Sequence, residues 1–226
     1  MLKTKSKGIF IVISGPSGAG KGTICKELMK TSNNLWLSIS MTTREPRVGE
    51  TNGVEYFFVT KDEFEQNIKD GNMLEYATIH SGQYYGTPKG EITKYLDNGI
   101  DVILEIDING AVQIKECNKE ALFIFVLPPS MEELKNRLIK RGTETKDKII
   151  ERFKRGYQEL NSITKYNYVV VNDDLNNAVN KVKAIIMAER CRVDRIEDAF
   201  LNNPEEFIHE ELIDNKLFEN EPIDFE

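Results

Sequence analysis

The chain alternates short, nearly uninterrupted apolar runs with longer stretches of helical periodicity. The runs are Gly8-Ile9-Phe10-Ile11-Val12-Ile13-Ser14, Leu35-Trp36-Leu37-Ser38-Ile39, Val102-Ile103-Leu104-Glu105-Ile106, Ala121 to Leu127, and Tyr168-Val169-Val170-Val171. Strands apolar at almost every position are buried on both faces, the condition of a parallel sheet covered by helices. The helical stretches Thr23 to Lys30, Ala111 to Glu116, Ser130 to Arg141, Lys146 to Thr164 and Leu175 to Arg190 supply that cover. The expected fold is therefore α/β, with a five-stranded parallel sheet flanked by helices. Pro128-Pro129 stops the fourth run, and Ser130-Met131-Glu132-Glu133 has the spacing of a capping box.

Between the second and third runs lies a segment of different character, 41–99. It carries two alternating runs, Val54 to Val59 and Met73 to Ala77, and a helical pattern at Lys61 to Lys69. Its length and patterning exclude a plain loop and predict a small β-rich insert mounted on the α/β core.

The first run ends in Gly15-Pro16-Ser17-Gly18-Ala19-Gly20-Lys21-Gly22-Thr23. Glycines let consecutive backbone N–H groups converge on an anion at a helix N-terminus, and the lysine reaches the outer phosphates. Strand, glycine turn and helix together predict a P-loop and a P-loop NTPase-type sheet. Gly22 stands where a hydroxyl ordinarily ligates Mg²⁺, so the first hydroxyl is that of Thr23.

Arginines cluster in two further places. Arg44 and Arg47 flank Pro46 at the start of the insert and could present two guanidinium groups to one phosphate; a solvated surface pair is the alternative. Arg137 and Arg141 are four apart on one helix, with Arg152 on the next, across a Gly142-containing turn. A helical lid over about 137–155 could bring these charges onto a transferred phosphoryl group; an exposed cationic helix is the alternative. In Leu104-Glu105-Ile106-Asp107, alternation places both carboxylates on one face at the end of a strand. There Asp107 could organise Mg²⁺ and its waters, or cap the helix that follows.

Composition narrows the class. The chain has 226 residues, no apolar stretch of membrane-spanning length, and a net charge of −7. Residues 195–226 carry −9, leaving 1–194 at +2, a balance that suits small anionic ligands better than nucleic acid. Cys25, Cys117 and Cys191 show neither disulfide nor zinc spacing, and two histidines, His80 and His209, cannot supply a metal cluster. The expected location is cytoplasmic. The acidic tail, 191–226, carries apolar positions such as Phe200, Phe207 and Leu212 that fit amphipathic helices; its role is not legible.

Over about residues 8–190 the sequence resembles guanylate kinases. The resemblance rests on Ser14 to Lys21, Thr42-Thr43-Arg44-Glu45-Pro46-Arg47-Val48-Gly49-Glu50, Asn52 to Phe58, and Tyr84-Tyr85-Gly86-Thr87. Glu105-Ile106-Asp107, Arg137 to Thr145 and Val171-Asn172-Asp173 follow in order. It implies transfer of the ATP γ-phosphoryl group to GMP with Mg²⁺, in purine nucleotide metabolism. By residue match Arg44, Arg47, Tyr56 and Tyr85 would hold the GMP phosphate, with Glu50 beside them, and Ser40, Glu75 and Thr87 would read guanine. Asp107 would lie near the nucleotides and, with Thr23, near Mg²⁺. The glycine loop, Arg137, Asn172 and Asp173 would bind ATP, with Lys21, Arg47, Arg141 and Arg152 catalytic. Asn109 stands where many relatives have Gln, and the tail exceeds the family core. The resemblance divides the chain into a kinase domain, 1–190, with core 8–40 and 100–190, and the tail, and it leaves oligomeric state open, a homodimer included. Two alternatives remain: a kinase of another small phosphate acceptor, and a non-catalytic interaction module, against which the intact phosphate loop argues.

Overall fold

The computed structural model describes residues 7–78, 82–140, 146–193 and 195. Residues 7–186 form one compact unit. A second unit joins 1–6 to 187–226 and is described only at 187–193 and 195, where the Glu189 carboxylate pairs with Arg192 at 3.4 Å and Arg195 at 3.5 Å.

The larger unit holds the expected parallel sheet. Its strands are β1 (Phe10–Ser14), β2 (Leu35–Leu37), β7 (Asp101–Glu105), β8 (Leu122–Leu127) and β9 (Tyr168–Val171), in the order β2-β7-β1-β8-β9. β1 is wholly buried and pairs in parallel with β7 and β8. Alternate β1 side chains face opposite layers. Ile11 and Ile13 pack with Ile24 and Leu28 of α1 (Lys21–Thr31) and with Ala178 and Val182 of α7 (Leu175–Arg190). Phe10 and Val12 pack with Ile92 of α3 (Gly90–Asp97) and with Ala111 and Ile114 of α4 (Ile108–Cys117). From β1 the chain builds one side of the sheet through β2 and β7, then the other through β8 and β9. The loop after β1 therefore lies where strand order reverses, the usual ligand crevice of an open α/β sheet.

The insert forms a second sheet, β4-β3-β6-β5, from β3 (Met41–Thr42), β4 (Phe57–Phe58), β5 (Met73–Thr78) and β6 (Tyr84–Pro88). Its helix α2 (Lys61–Lys69) opens on a complete capping box between Thr60 and Glu63. β6 and α3 were not expected from the sequence. The predicted strand Val54 to Val59 shrinks to Phe57–Phe58, because Gly53 turns with φ 80° and Glu55 folds back onto the Thr51 N–H at 2.9 Å.

The two helices after β8 are α5 (Met131–Lys140) and α6 (Lys146–Glu159); a 3₁₀ turn, Leu160–Lys165, replaces the end of the predicted helix Lys146 to Thr164. Ser130 accepts from the Glu133 N–H at 3.0 Å, as its spacing predicts, while the Glu133 carboxylate turns to Arg137 instead of closing the box. The α5–α6 turn with Arg141, and the tail from 196, lie outside the described residues.

Candidate active site

Gly15 to Gly20 form the cradle between β1 and α1. Gly15 has φ 141°, and a Cβ there would stand 2.2 Å from the Val126 carbonyl oxygen, so only glycine permits the chain to turn against β8. Lys21 opens α1, two residues earlier than the helix read from the sequence. Its Nζ donates to the carbonyls of Gly15 at 2.7 Å and Pro16 at 3.3 Å, fastening the loop. Burial pulls the ammonium below its ordinary pKa, against the attraction of Glu105, Glu159 and Asp107.

Two residues brought from far along the chain close one side of the loop. Asn172 Nδ2 donates to the Ala19 carbonyl at 2.8 Å, Arg137 Nη1 to the same oxygen at 3.3 Å, and Arg137 Nη2 to the Asn172 carbonyl at 3.0 Å. With Asp173 and Thr23 they line a cleft of 310 Å³. The residues expected to bind ATP are thus brought together, Thr23 among them.

Gly22 leaves room for a carboxylate. A Cβ at this position would lie 3.2 Å from Glu105 Oε2, so the acid that ends β7 stands beside the first turn of α1. Asp107 departs from the expected geometry. It is not on the strand but is the N-cap of α4, and its Oδ1 accepts from the Gly110 N–H at 2.9 Å. Its Oδ2 accepts from Arg155 at 3.3 Å, so both oxygens are engaged. The two acids do not share a strand face, because the chain turns into a helix between them.

In the insert, Arg44 donates from Nη2 to both Glu50 carboxylate oxygens at 3.0 and 2.9 Å and from Nε to the Tyr85 hydroxyl at 3.1 Å, and it lies 5.4 Å over the Tyr56 ring. Glu50 also accepts from the Arg47 N–H at 2.8 Å; that bond and the Arg44 guanidinium hold its carboxyl below the usual range. The Arg47 side chain itself is exposed. Ser40 and Tyr56 line a second cleft, of 360 Å³, with Glu105 on its core side.

Glu75 and Thr87 face each other across β5 and β6, and the Thr87 hydroxyl donates to Glu75 Oε1 at 2.7 Å. Glu75 is 6% exposed, and burial pushes its carboxyl up to about 7, with the Thr87 bond opposing and the Asp107 charge adding. Its other oxygen lies over Gly110, where a Cβ would come within 2.8 Å. Arg152 is half-buried on α6.

Residues not singled out from the sequence complete the site. Arg155 bridges Asp107 and Glu159 at 3.3 and 2.9 Å, and burial raises the Glu159 carboxyl against the pull of Arg155. The i,i+4 spacing of Arg155 and Glu159 was the available signal. Among the described residues no group of three or more His, Cys, Asp or Glu side chains could cage a metal, and no helix is long and apolar enough to cross a membrane.

Known proteins agree with this architecture. Residues 7–189 match the family model described as guanylate kinase. The guanylate kinase of Clostridium tetani is 60% identical over 208 residues, covering 92% of this chain and 99% of that protein. That of Caldanaerobacter subterraneus is 56% identical over 207 residues, covering 92% and 100%. The crystal structure of guanylate kinase from Anaplasma phagocytophilum superimposes with a TM-score of 0.70 at 31% identity, over 84% of this chain and 90% of that one. With a P-loop at the strand-order reversal of a parallel sheet, an inserted sheet beside it, and relatives of this identity over nearly their whole length, the chain belongs to the guanylate kinase family of phosphotransferases.

Proposed function

We propose that the protein transfers the γ-phosphoryl group of ATP to GMP, giving ADP and GDP, within purine nucleotide metabolism in the cytoplasm. The observation that carries this reading is the buried Glu75–Thr87 pair, set in the same small sheet as the Arg44–Tyr85–Tyr56 cluster. A carboxylate only accepts, and guanine offers two adjacent donors at N1 and N2, so the pair fits guanine and leaves adenine without a match. Arg44, Arg47, Tyr56 and Tyr85 would hold the GMP phosphate, with Glu50 orienting Arg44 and Ser40 lining the same cleft.

On the ATP side the loop Gly15 to Gly22 and Lys21 would receive the phosphates, while Arg137, Asn172 and Asp173 border the cleft for the base. The GMP phosphate oxygen is already a nucleophile, so alignment and charge stabilisation suffice without a general base. Arg152, and Arg141 from the α5–α6 turn, would meet the transferred phosphoryl group. A hydroxyl and carboxylates suit Mg²⁺, a hard ion that takes oxygen ligands, keeps most of its waters and draws further ligands from phosphates. Thr23 and the acids Glu105 and Asp107 would hold it there directly or through water, where it supplies charge neutralisation on the β- and γ-phosphates. The near-neutral charge of the chain before its acidic tail supports small nucleotides, and neither nucleic acid nor membrane, as partners.

An ADP-release assay with ATP and Mg²⁺ across GMP, dGMP, AMP, UMP and CMP tests the reading. GMP turnover at least a hundredfold above AMP is expected, at the scale of a buried carboxylate left unpaired. No turnover with any acceptor overturns it in favour of a binding module.

A further inference from the structure

The geometry points to Gln113 as a positioning residue for purine selection, fixing the register of the strand that carries Glu75. The inference rests on the guanine reading of Glu75 given above.

β5 is an edge strand of the inserted sheet. Its outer side would present unpaired backbone groups, which make an edge prone to fraying and slippage. At Tyr76, the residue after Glu75, the outer groups are both taken by one side chain. Gln113 Nε2 donates to the Tyr76 carbonyl at 3.0 Å, and Gln113 Oε1 accepts from the Tyr76 N–H at 3.3 Å. The amide thus replaces a missing neighbour strand at a single point.

That point matters because of what precedes it. The pairing of β5 with β6 shifts between Met73 and Glu75, so the ladder is irregular immediately before the carboxylate. A slip of one residue turns every side chain to the opposite face of a strand, and it would turn Glu75 away from Thr87. The clamp at Tyr76 sits on the other side of Glu75 from the irregularity and fixes the strand directly beside the carboxylate.

Helix α4 serves this alignment along its length. Asp107, Gly110 and Gln113 recur every third residue, a spacing that puts them on one face. Asp107 adds its charge to the field at Glu75, Gly110 leaves space for Glu75 Oε2, and Gln113 takes the strand backbone. The element that begins at the catalytic core therefore sets the register of the insert. Gln113 touches no reacting group, and its effect on selection runs through Glu75.

The test compares GMP with IMP, whose base lacks the 2-amino donor, in the wild-type enzyme and in Gln113→Met, which keeps the side-chain length and removes both hydrogen bonds. The ratio of kcat/KM for GMP to that for IMP is expected to fall about three- to thirtyfold, on the scale of one or two lost hydrogen bonds. The loss should appear in KM for GMP, with KM for ATP unchanged. Gln113→Glu keeps the acceptor for the Tyr76 N–H and loses the donor, and it gives the same reading should the methionine variant fold poorly. An unchanged ratio in a wild type that discriminates overturns the role of Gln113 alone. A wild type that does not distinguish GMP from IMP overturns the guanine reading of Glu75, and this inference with it.

Discussion

Arg155 on α6 reaches Asp107 at the N-cap of α4, with 3.3 Å between Nη2 and Oδ2. The contact ties the helix that carries Arg152 to the element that borders Glu75. Both side chains are about half exposed, 47% and 46%, so solvent and salt screen the attraction. Arg155→Gln should change unfolding free energy by no more than about 1 kcal/mol in urea titrations. The difference from wild type should shrink further at high salt; a larger, salt-insensitive loss would mean that the pair is a rigid structural anchor.

Lys21→Met should leave the strand–turn–helix folded and lower kcat by roughly a hundredfold or more, the scale of one lost charge contact to a transferring phosphoryl group. Removing an ammonium that burial disfavours should not lower Tm. Thermal unfolding beside steady-state kinetics checks both halves. A folded variant with near-normal turnover would remove Lys21 from the phosphate cradle.

Glu75→Gln separates function from stability. For turnover, kcat/KM for GMP should fall about ten- to a hundredfold and that for AMP far less, so their ratio drops. For stability the sign follows from a carboxyl whose folded pKa rises from 4.5 to about 7. The folded state then holds its proton more tightly than the unfolded chain, a contribution fully present below pH 4.5 and lost as pH rises through 7. The neutral variant escapes that loss. It should be more stable than wild type at pH 8 by about 1–3 kcal/mol, with the gap narrowing towards pH 4.5. Denaturant titrations at the two pH values decide it, and a gap independent of pH would show that Glu75 is ionised without penalty.

Gly110→Ala tests the space beside that carboxylate. The new Cβ would fall 2.8 Å from Glu75 Oε2, so the acid must shift. We expect kcat/KM for GMP to drop about tenfold, at the scale of one misaligned hydrogen bond. KM for ATP should not move. Helix propensity favours alanine over glycine by about 1 kcal/mol, which should hold overall stability close to wild type. Unchanged GMP kinetics would show that Glu75 adjusts freely.

The parallel sheet was legible because β1, β7 and β8 are buried on both faces and so read as unbroken apolar runs. The insert was legible only as a region. Tyr84-Tyr85-Gly86-Thr87-Pro88 contains the two residues that usually punctuate turns, which hid β6. Lys89, the N-cap of α3, makes no side-chain cap, so no start signal marks that helix. At Asp107 alternation and capping made competing demands, and the cap won because Gly110 offers its N–H three residues on. The glycine loop announced itself through local pattern. The partners that fasten it, Arg137 and Asn172, join it across 118 and 153 residues, distances over which pattern carries no pairing information.

Those distances bear on how the protein comes into being. A nascent chain of a hundred residues already contains every glycine of the phosphate loop, yet it lacks Val126, against whose carbonyl Gly15 turns, and Asn172, which holds Ala19. The nucleotide cradle is therefore a late product of synthesis. It takes shape only when β8 and the segment after β9 have left the ribosome. Once assembled, the same long-range fastening makes nucleotide binding report on the integrity of nearly the whole sheet, since ligand affinity is available only to the finished fold.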